Sequence, residues 1–117
     1  QAEISMPKQA AAGKRAVRGS RTGRPIMALL DLLGRRWAMR IMWELREGSL
    51  TSRALRSACD EASPTVMQTR LSELREAGLI ELVPGDGYGL TYLGRELNES
   101  FQPLHRFAER WSRQTRA

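Results

Sequence analysis

The 117 residues include a single cysteine, Cys59, and a single histidine, His105. One thiol excludes an intramolecular disulfide, and one Cys with one His leaves no ligand set for a structural zinc. The longest uninterrupted apolar run, Ile26 to Leu30, is five residues, against the about 20 needed to cross a bilayer. No signal-peptide core precedes it. A reducing cytoplasm is therefore the expected compartment, with no membrane partner. The chain also lacks a nucleophile elbow, a glycine-rich phosphate loop and metal-spaced ligands. No catalytic residue, metal or cofactor is expected, and Glu73 with Glu76, three residues apart on an amphipathic helix, read as a solvated face.

What is present fits one folded module. A chain of this length supports one core, and 41% hydrophobic with 27% charged residues is the composition of a globular domain. The net charge of +6 suggests an anionic partner. Its distribution changes that reading. Residues 1–24 hold Lys8, Lys14, Arg15, Arg18, Arg21 and Arg24 against Glu3 alone, a net +5, which leaves +1 for residues 25–117. Residues 1–24, poor in large apolar side chains, read as a flexible basic arm. Arg15, Arg18, Arg21 and Arg24 are candidates to lie along phosphates or enter a minor groove; the alternative is a solvated terminus. Deleting residues 1–23 is expected to cost affinity and salt sensitivity while leaving sequence choice intact.

Residues 25–117 read as an ordered series of elements. Pro25 opens an apolar helix that Gly34 ends, covering about 25–34. Arg35 to Glu47 follows, with Trp37, Ala38, Ile41, Met42 and Leu45 on one stripe. Thr51 or Ser52 caps a short helix, Arg53 to Cys59, with Ala54, Leu55 and Ala58 inward. Asp60 to Ala62 is a turn, and Ser63-Pro64 starts a helix over about 63–77 with Met67, Leu71 and Leu74 inward. Two short helices joined by about four residues form a helix-turn-helix pattern. A hairpin over about 79–91 turns at Pro84 to Gly87. The last helix, about 92–114, carries Leu93, Leu97, Phe101, Leu104, Ala108 and Trp111 on a stripe that Pro103 should bend. The sum is a mainly α, α+β fold: a winged helix-turn-helix with extra terminal helices.

Several segments resemble the HxlR-type branch of the winged-helix bacterial regulators, relatives of the MarR group. They are ALLDLLGRRW at 28–37, SPTVMQTRLSELREAGLI at 63–80 and YGLTYLGREL at 88–97, followed by Pro103 and Trp111. The resemblance implies a homodimeric, double-stranded-DNA-binding transcription regulator, more often a repressor, acting on an inverted repeat. It implies terminal helices as the dimer interface, which here means Ile26, Leu29, Leu30, Leu97, Phe101, Leu104, Ala108 and Trp111. It also implies an effector site between those helices and the DNA-binding lobe, bordered by Trp111, Phe107, Trp43 and Tyr92, for a small molecule of unknown identity. The chain departs from the pattern twice. Arg24, not cysteine, precedes Pro25, which leaves thiol sensing by the family mechanism unsupported, and the wing is short with no Lys or Arg between Arg75 and Arg95.

On the recognition helix, Thr65, Gln68, Thr69 and Ser72 lie away from the inward face and are candidates for reading base edges, since Gln pairs with adenine and Thr offers a hydroxyl or a methyl. Ser63 and the free N–H groups of the helix start suit a phosphate. Arg53 and Arg56 are phosphate candidates on the preceding helix. Arg70 either reaches phosphate or pairs with Glu73 or Glu44. The competing reading is a winged helix that docks a protein partner, which the acidic Glu73, Glu76 and wing tip would suit.

Overall fold

The computed structural model describes residues 23–116, so Arg15, Arg18 and Arg21 of the expected arm lie outside the described residues. Arg24, assigned to that arm by its charge, is instead the N-cap of the first helix. Its carbonyl accepts from the N–H groups of Met27 and Ala28, both at 3.0 Å. Helix α1, Pro25–Leu33, begins on a proline whose missing N–H would have had no intrahelical partner. Its sequence is apolar nearly all round, yet only Leu33 is buried, and Ile26 and Leu30 are 56% and 54% exposed.

The second helix is shorter than its apolar stripe predicts. Gly34 keeps a right-handed backbone, and the chain reverses at Trp37, whose φ of 74° is left-handed. Such a conformation is costly for a bulky residue and persists where packing over-determines it; Trp37 packs against the core. Helix α2 is thus Ala38–Glu44, closed by a 3-10 turn at Leu45–Glu47.

Helix α3, Ser52–Ala58, starts where Thr51 Oγ1 accepts from the Ala54 N–H at 3.1 Å. Helix α4, Pro64–Glu76, starts where Ser63 Oγ accepts from the Val66 N–H at 3.1 Å. Each bond satisfies an orphan donor of the first turn. Asp60 and Glu61, both with left-handed φ, make the turn between them. Met67, Leu71 and Leu74 of α4 enter one core with Ile41, Met42, Leu45, Leu55 and Cys59. The helix pair is held together by apolar burial, a non-directional force proportional to area.

Strands β1, Ile80–Val83, and β2, Gly87–Leu90, pair antiparallel, with Ile80 opposite Leu90 and Val83 opposite Gly87. Leu50 forms an isolated bridge to Tyr88 through reciprocal N–H···O bonds of 2.9 and 2.8 Å, so β2 is held on both edges. A side chain at Gly87 would overlap the Leu50 carbonyl, and its φ of 98° suits glycine.

Helix α5, Tyr92–Ser100, starts where Thr91 Oγ1 accepts from the Gly94 N–H at 3.0 Å and donates to the Gly78 carbonyl at 2.6 Å. In place of the one bent helix predicted over 92–114, the chain breaks at Phe101 and restarts as α6, Gln102–Arg116. Pro103 is the reason. It is tolerated in a first turn, not in a helix interior. No residue of α6 is buried, and Leu104, Phe107 and Trp111 stand about half exposed. The architecture is the predicted winged helix-turn-helix, mainly helical with one hairpin.

Candidate nucleic-acid interface

The site is built on α4, because burial of Met67, Leu71 and Leu74 turns the opposite face outward. Thr65, Gln68, Thr69 and Ser72 are all exposed on it. They carry donors, acceptors and methyl groups but no charge, the inventory that can discriminate base edges in a major groove. Thr69 Oγ1 donates to the Thr65 carbonyl at 2.9 Å, which fixes its rotamer. The Gln68 amide has no partner among the described residues. Ser63 uses an oxygen lone pair for capping and keeps its hydroxyl proton for an outside acceptor. The helix start carries the positive end of the macrodipole beside it.

The arginines divide. Arg53 is exposed on α3 without an ion-pair partner among the described residues. Arg56 is half-buried, and its Nε donates to the Ala62 carbonyl at 2.8 Å, so it braces the helix-turn-helix turn from within. Arg70 is also held inside the fold. Its Nη1 meets Glu73 Oε1 at 2.8 Å and its Nε donates to the Arg36 carbonyl at 2.9 Å. Of the two pairings weighed for Arg70, Glu73 is the one formed; Glu44 pairs instead with Arg40 at 2.8 Å. Glu73 also meets Arg35 at 2.9 Å, and Arg35 meets Asp31 at 3.1 Å. Burial disfavours the Arg35 cation, but the two carboxylates together outweigh it and hold its pKa above the ordinary value. Sequence reasoning missed this role for Arg35. Residues 35 and 73 are joined only by the tertiary fold, so no local spacing announces the pair.

The wing adds no positive charge. Glu81 and Asp86 are its charged side chains, and Leu82 is exposed beside them. Cys59 is buried in the core, where desolvation pushes its thiol pKa up against the opposing pull of Arg40. The thiolate, the reactive form, is disfavoured there.

The expected effector border does not assemble as one pocket. Trp43 lines a recess of about 350 Å³ with Met39, Arg40, Asn98, Phe101 and His105, in which the Trp43 and His105 rings are 4.9 Å apart. Tyr92, Phe107 and Trp111 are exposed outside it. A larger groove of about 450 Å³ separates α1 from α5, floored by Ala28, Leu29, Leu32, Leu79, Leu93 and Leu97. Of the expected dimer residues, Leu29 and Leu97 line this groove, Phe101 lines the recess, and Ile26, Leu30, Leu104, Ala108 and Trp111 are exposed. Among the described residues, no group of three or more His, Cys, Asp or Glu is placed to hold a metal, and no helix is long and apolar enough to cross a membrane.

Comparison with known proteins agrees with this geometry. Residues 32–116 match the family described as HxlR-like helix-turn-helix. An uncharacterized HTH-type transcriptional regulator of Synechocystis sp. is 29% identical over 96 residues, spanning 77% of this chain and 71% of the relative. The crystal structure of quinone-bound YodB from B. subtilis superposes with a TM-score of 0.68 at 26% identity, covering 73% of this chain and 94% of that one. A structure of a possible HxlR family transcriptional factor from Thermoplasma volcanium gives 0.65 at 29% identity, covering 76% and 85%. The chain belongs to the HxlR-like helix-turn-helix family of DNA-binding transcriptional regulators.

Proposed function

We propose that the protein reads a specific double-stranded operator as a homodimer, each copy laying α4 in a major groove of an inverted repeat, and that it represses in the bacterial cytoplasm. The observation that carries base reading is the uncharged face of Thr65, Gln68, Thr69 and Ser72, presented by a helix whose other side is fully packed. Arg53 and Ser63 are the phosphate contacts proposed beside it.

The dimer rests on unmet burial. Ile26, Leu30, Leu104 and Trp111 are each more than half exposed on the two terminal helices. Burying the exposed half of such side chains contributes about 1 kcal/mol apiece, which a second copy would supply to both partners at once. The wing and Glu76 keep their acidic character, but Glu73 lies between Arg35 and Arg70. That takes one of the acids out of reach of a protein partner and favours DNA.

An effector belongs to the proposal as well. The recess at Trp43, Phe101 and His105 has walls suited to a planar ring, the chemical class of the quinone on YodB. The dimer is tested by spin labels on Ser72→Cys, an exposed site, with Cys59 buried and silent. Two recognition helices serving successive major grooves should give a main distance near about 34 Å. A monomer, or labels on opposite sides of the assembly, would overturn it.

A further inference from the structure

The recognition helix is gripped from the side by a ring of charges that the DNA-contact reading does not use. Asp31, on the last turn of α1, holds Arg35 through Oδ2 and Nη2 at 3.1 Å. The same guanidinium reaches Glu73 of α4, Nη1 to Oε2, at 2.9 Å. The other Glu73 oxygen accepts from Arg70 Nη1 at 2.8 Å, and Arg70 Nε returns to the carbonyl of Arg36 at 2.9 Å. The ring therefore starts on α1, crosses to α4 and closes on the turn between α1 and α2. That turn is itself fixed by left-handed Trp37, with the Arg36 guanidinium 5.0 Å from the centre of its ring.

Core packing holds α4 along one line, Met67, Leu71 and Leu74. Apolar contact of that kind resists separation but has no preferred direction, so it leaves the helix some freedom to tilt and roll. A guanidinium is a planar fork whose bonds do have direction, and Glu73 meets it off the apolar line. We propose that Arg35 is a positioning residue for DNA reading, setting the attitude of α4 through Glu73 and so the aim of Gln68 and Thr69. This rests on the reading that α4 lies in the major groove. Leverage makes the effect large. Thirteen residues of helix measure about 20 Å. A tilt of about 10° about its C-terminal end then displaces Gln68, about 12 Å along it, by about 2 Å, enough to break a hydrogen bond.

The ring matters little to stability, because its members are partly solvated, with side chains of Arg35, Glu73 and Arg70 39%, 26% and 19% exposed, and such pairs are weak. The test uses Arg35→Gln and Glu73→Gln in the full chain, with binding to the operator selected by the wild type and to unrelated DNA. Both variants should lose about tenfold in operator affinity and melt within about 2 °C of the wild type; Arg35→Gln should keep its affinity for unrelated DNA and the slope of its salt dependence, and Glu73→Gln, with one negative charge fewer, should bind unrelated DNA no more weakly than the wild type. Glu73→Gln is the sharper arm. Removing a negative charge near DNA should tighten binding if Glu73 has no positioning role, so weaker operator binding has the opposite sign.

Unchanged operator affinity in either variant, or a slope reduced by about two units for Arg35→Gln, one per copy, would overturn the proposal. The second result would make Arg35 a phosphate contact. A DNA-free measurement separates this from failure of base reading. With labels on the exposed positions of Thr65→Cys and Glu47→Cys, diluted into unlabelled chain, Arg35→Gln should broaden the distance distribution. A distribution as narrow as that of the wild-type background would refute positioning whatever the operator results.

Discussion

Alanine at Arg56 and alanine at Arg53 should damage the protein in different ways. Arg56 Nε donates to the Ala62 carbonyl at 2.8 Å in a half-buried site. A hydrogen bond to a charged group is worth about 1.5–3 kcal/mol when well shielded, and partial exposure reduces this to about 1 kcal/mol. The turn it braces holds Asp60 and Glu61 in left-handed backbone, each of which costs on the order of 1 kcal/mol. Backbone bonds from the Glu61 N–H to the Arg56 carbonyl at 2.8 Å and from the Ala62 N–H to the Cys59 carbonyl at 3.0 Å remain, so Arg56→Ala should lose about 1–2 kcal/mol and not unfold the domain. For a domain of this size each kcal/mol lowers the melting temperature by about 4–8 °C. Arg53 has no such bond, so Arg53→Ala should melt like the wild type. It should instead weaken binding to every DNA sequence and flatten log K against log salt by about 1.8 units, the loss of one phosphate contact in each copy of the dimer. Scanning calorimetry and fluorescence-anisotropy titrations at several salt concentrations measure both. An Arg56→Ala protein with wild-type melting and a flattened slope would refute the division of roles, as would an Arg53→Ala protein that melts early.

Gln68→Ala and Thr69→Ala should each relax preference at one or two base pairs by about 1–3 kcal/mol without moving the melting temperature; unchanged preference in both would remove them from base readout. Gly94→Ala should destabilise by about 1–3 kcal/mol or more in a denaturant titration, since its Cβ would overlap the Leu79 carbonyl in a buried site; wild-type stability would contradict that packing. Cys59 in the native protein should alkylate far more slowly at pH 8 than after unfolding. Because burial raises its folded pKa, its contribution to stability is full below the unfolded thiol's value of about 8.5. It is lost as pH rises through the raised folded value. A Cys59→Ala variant showing the same alkaline decline would assign that decline to other groups.

The element order was readable because its signals are local. Ser63 with Pro64, Thr51 and Thr91 each cap a helix through a hydroxyl three residues from its donor, and the stripe of Met67, Leu71 and Leu74 fixes which face is inward. The same steps of four and three residues expose Thr65, Gln68, Thr69 and Ser72. The misreadings lie where tertiary packing decides. Charge composition placed Arg24 in the arm, while its backbone caps α1. Helical periodicity carried α2 back to Arg35, while packing of the Trp37 indole forces a left-handed turn there. The partners of Arg56 and Arg35, the Ala62 carbonyl and Glu73, are brought to them by the folded turn and the α1–α4 approach. A helical wheel shows an arginine's face but not what crosses it.

Whether a dimer reads a specific sequence can be decided by selecting bound duplexes from a random pool at physiological salt. The selection should recover an inverted repeat, with half-sites about 10 base pairs apart or a multiple of that spacing. Enrichment without a shared sequence would contradict specific reading.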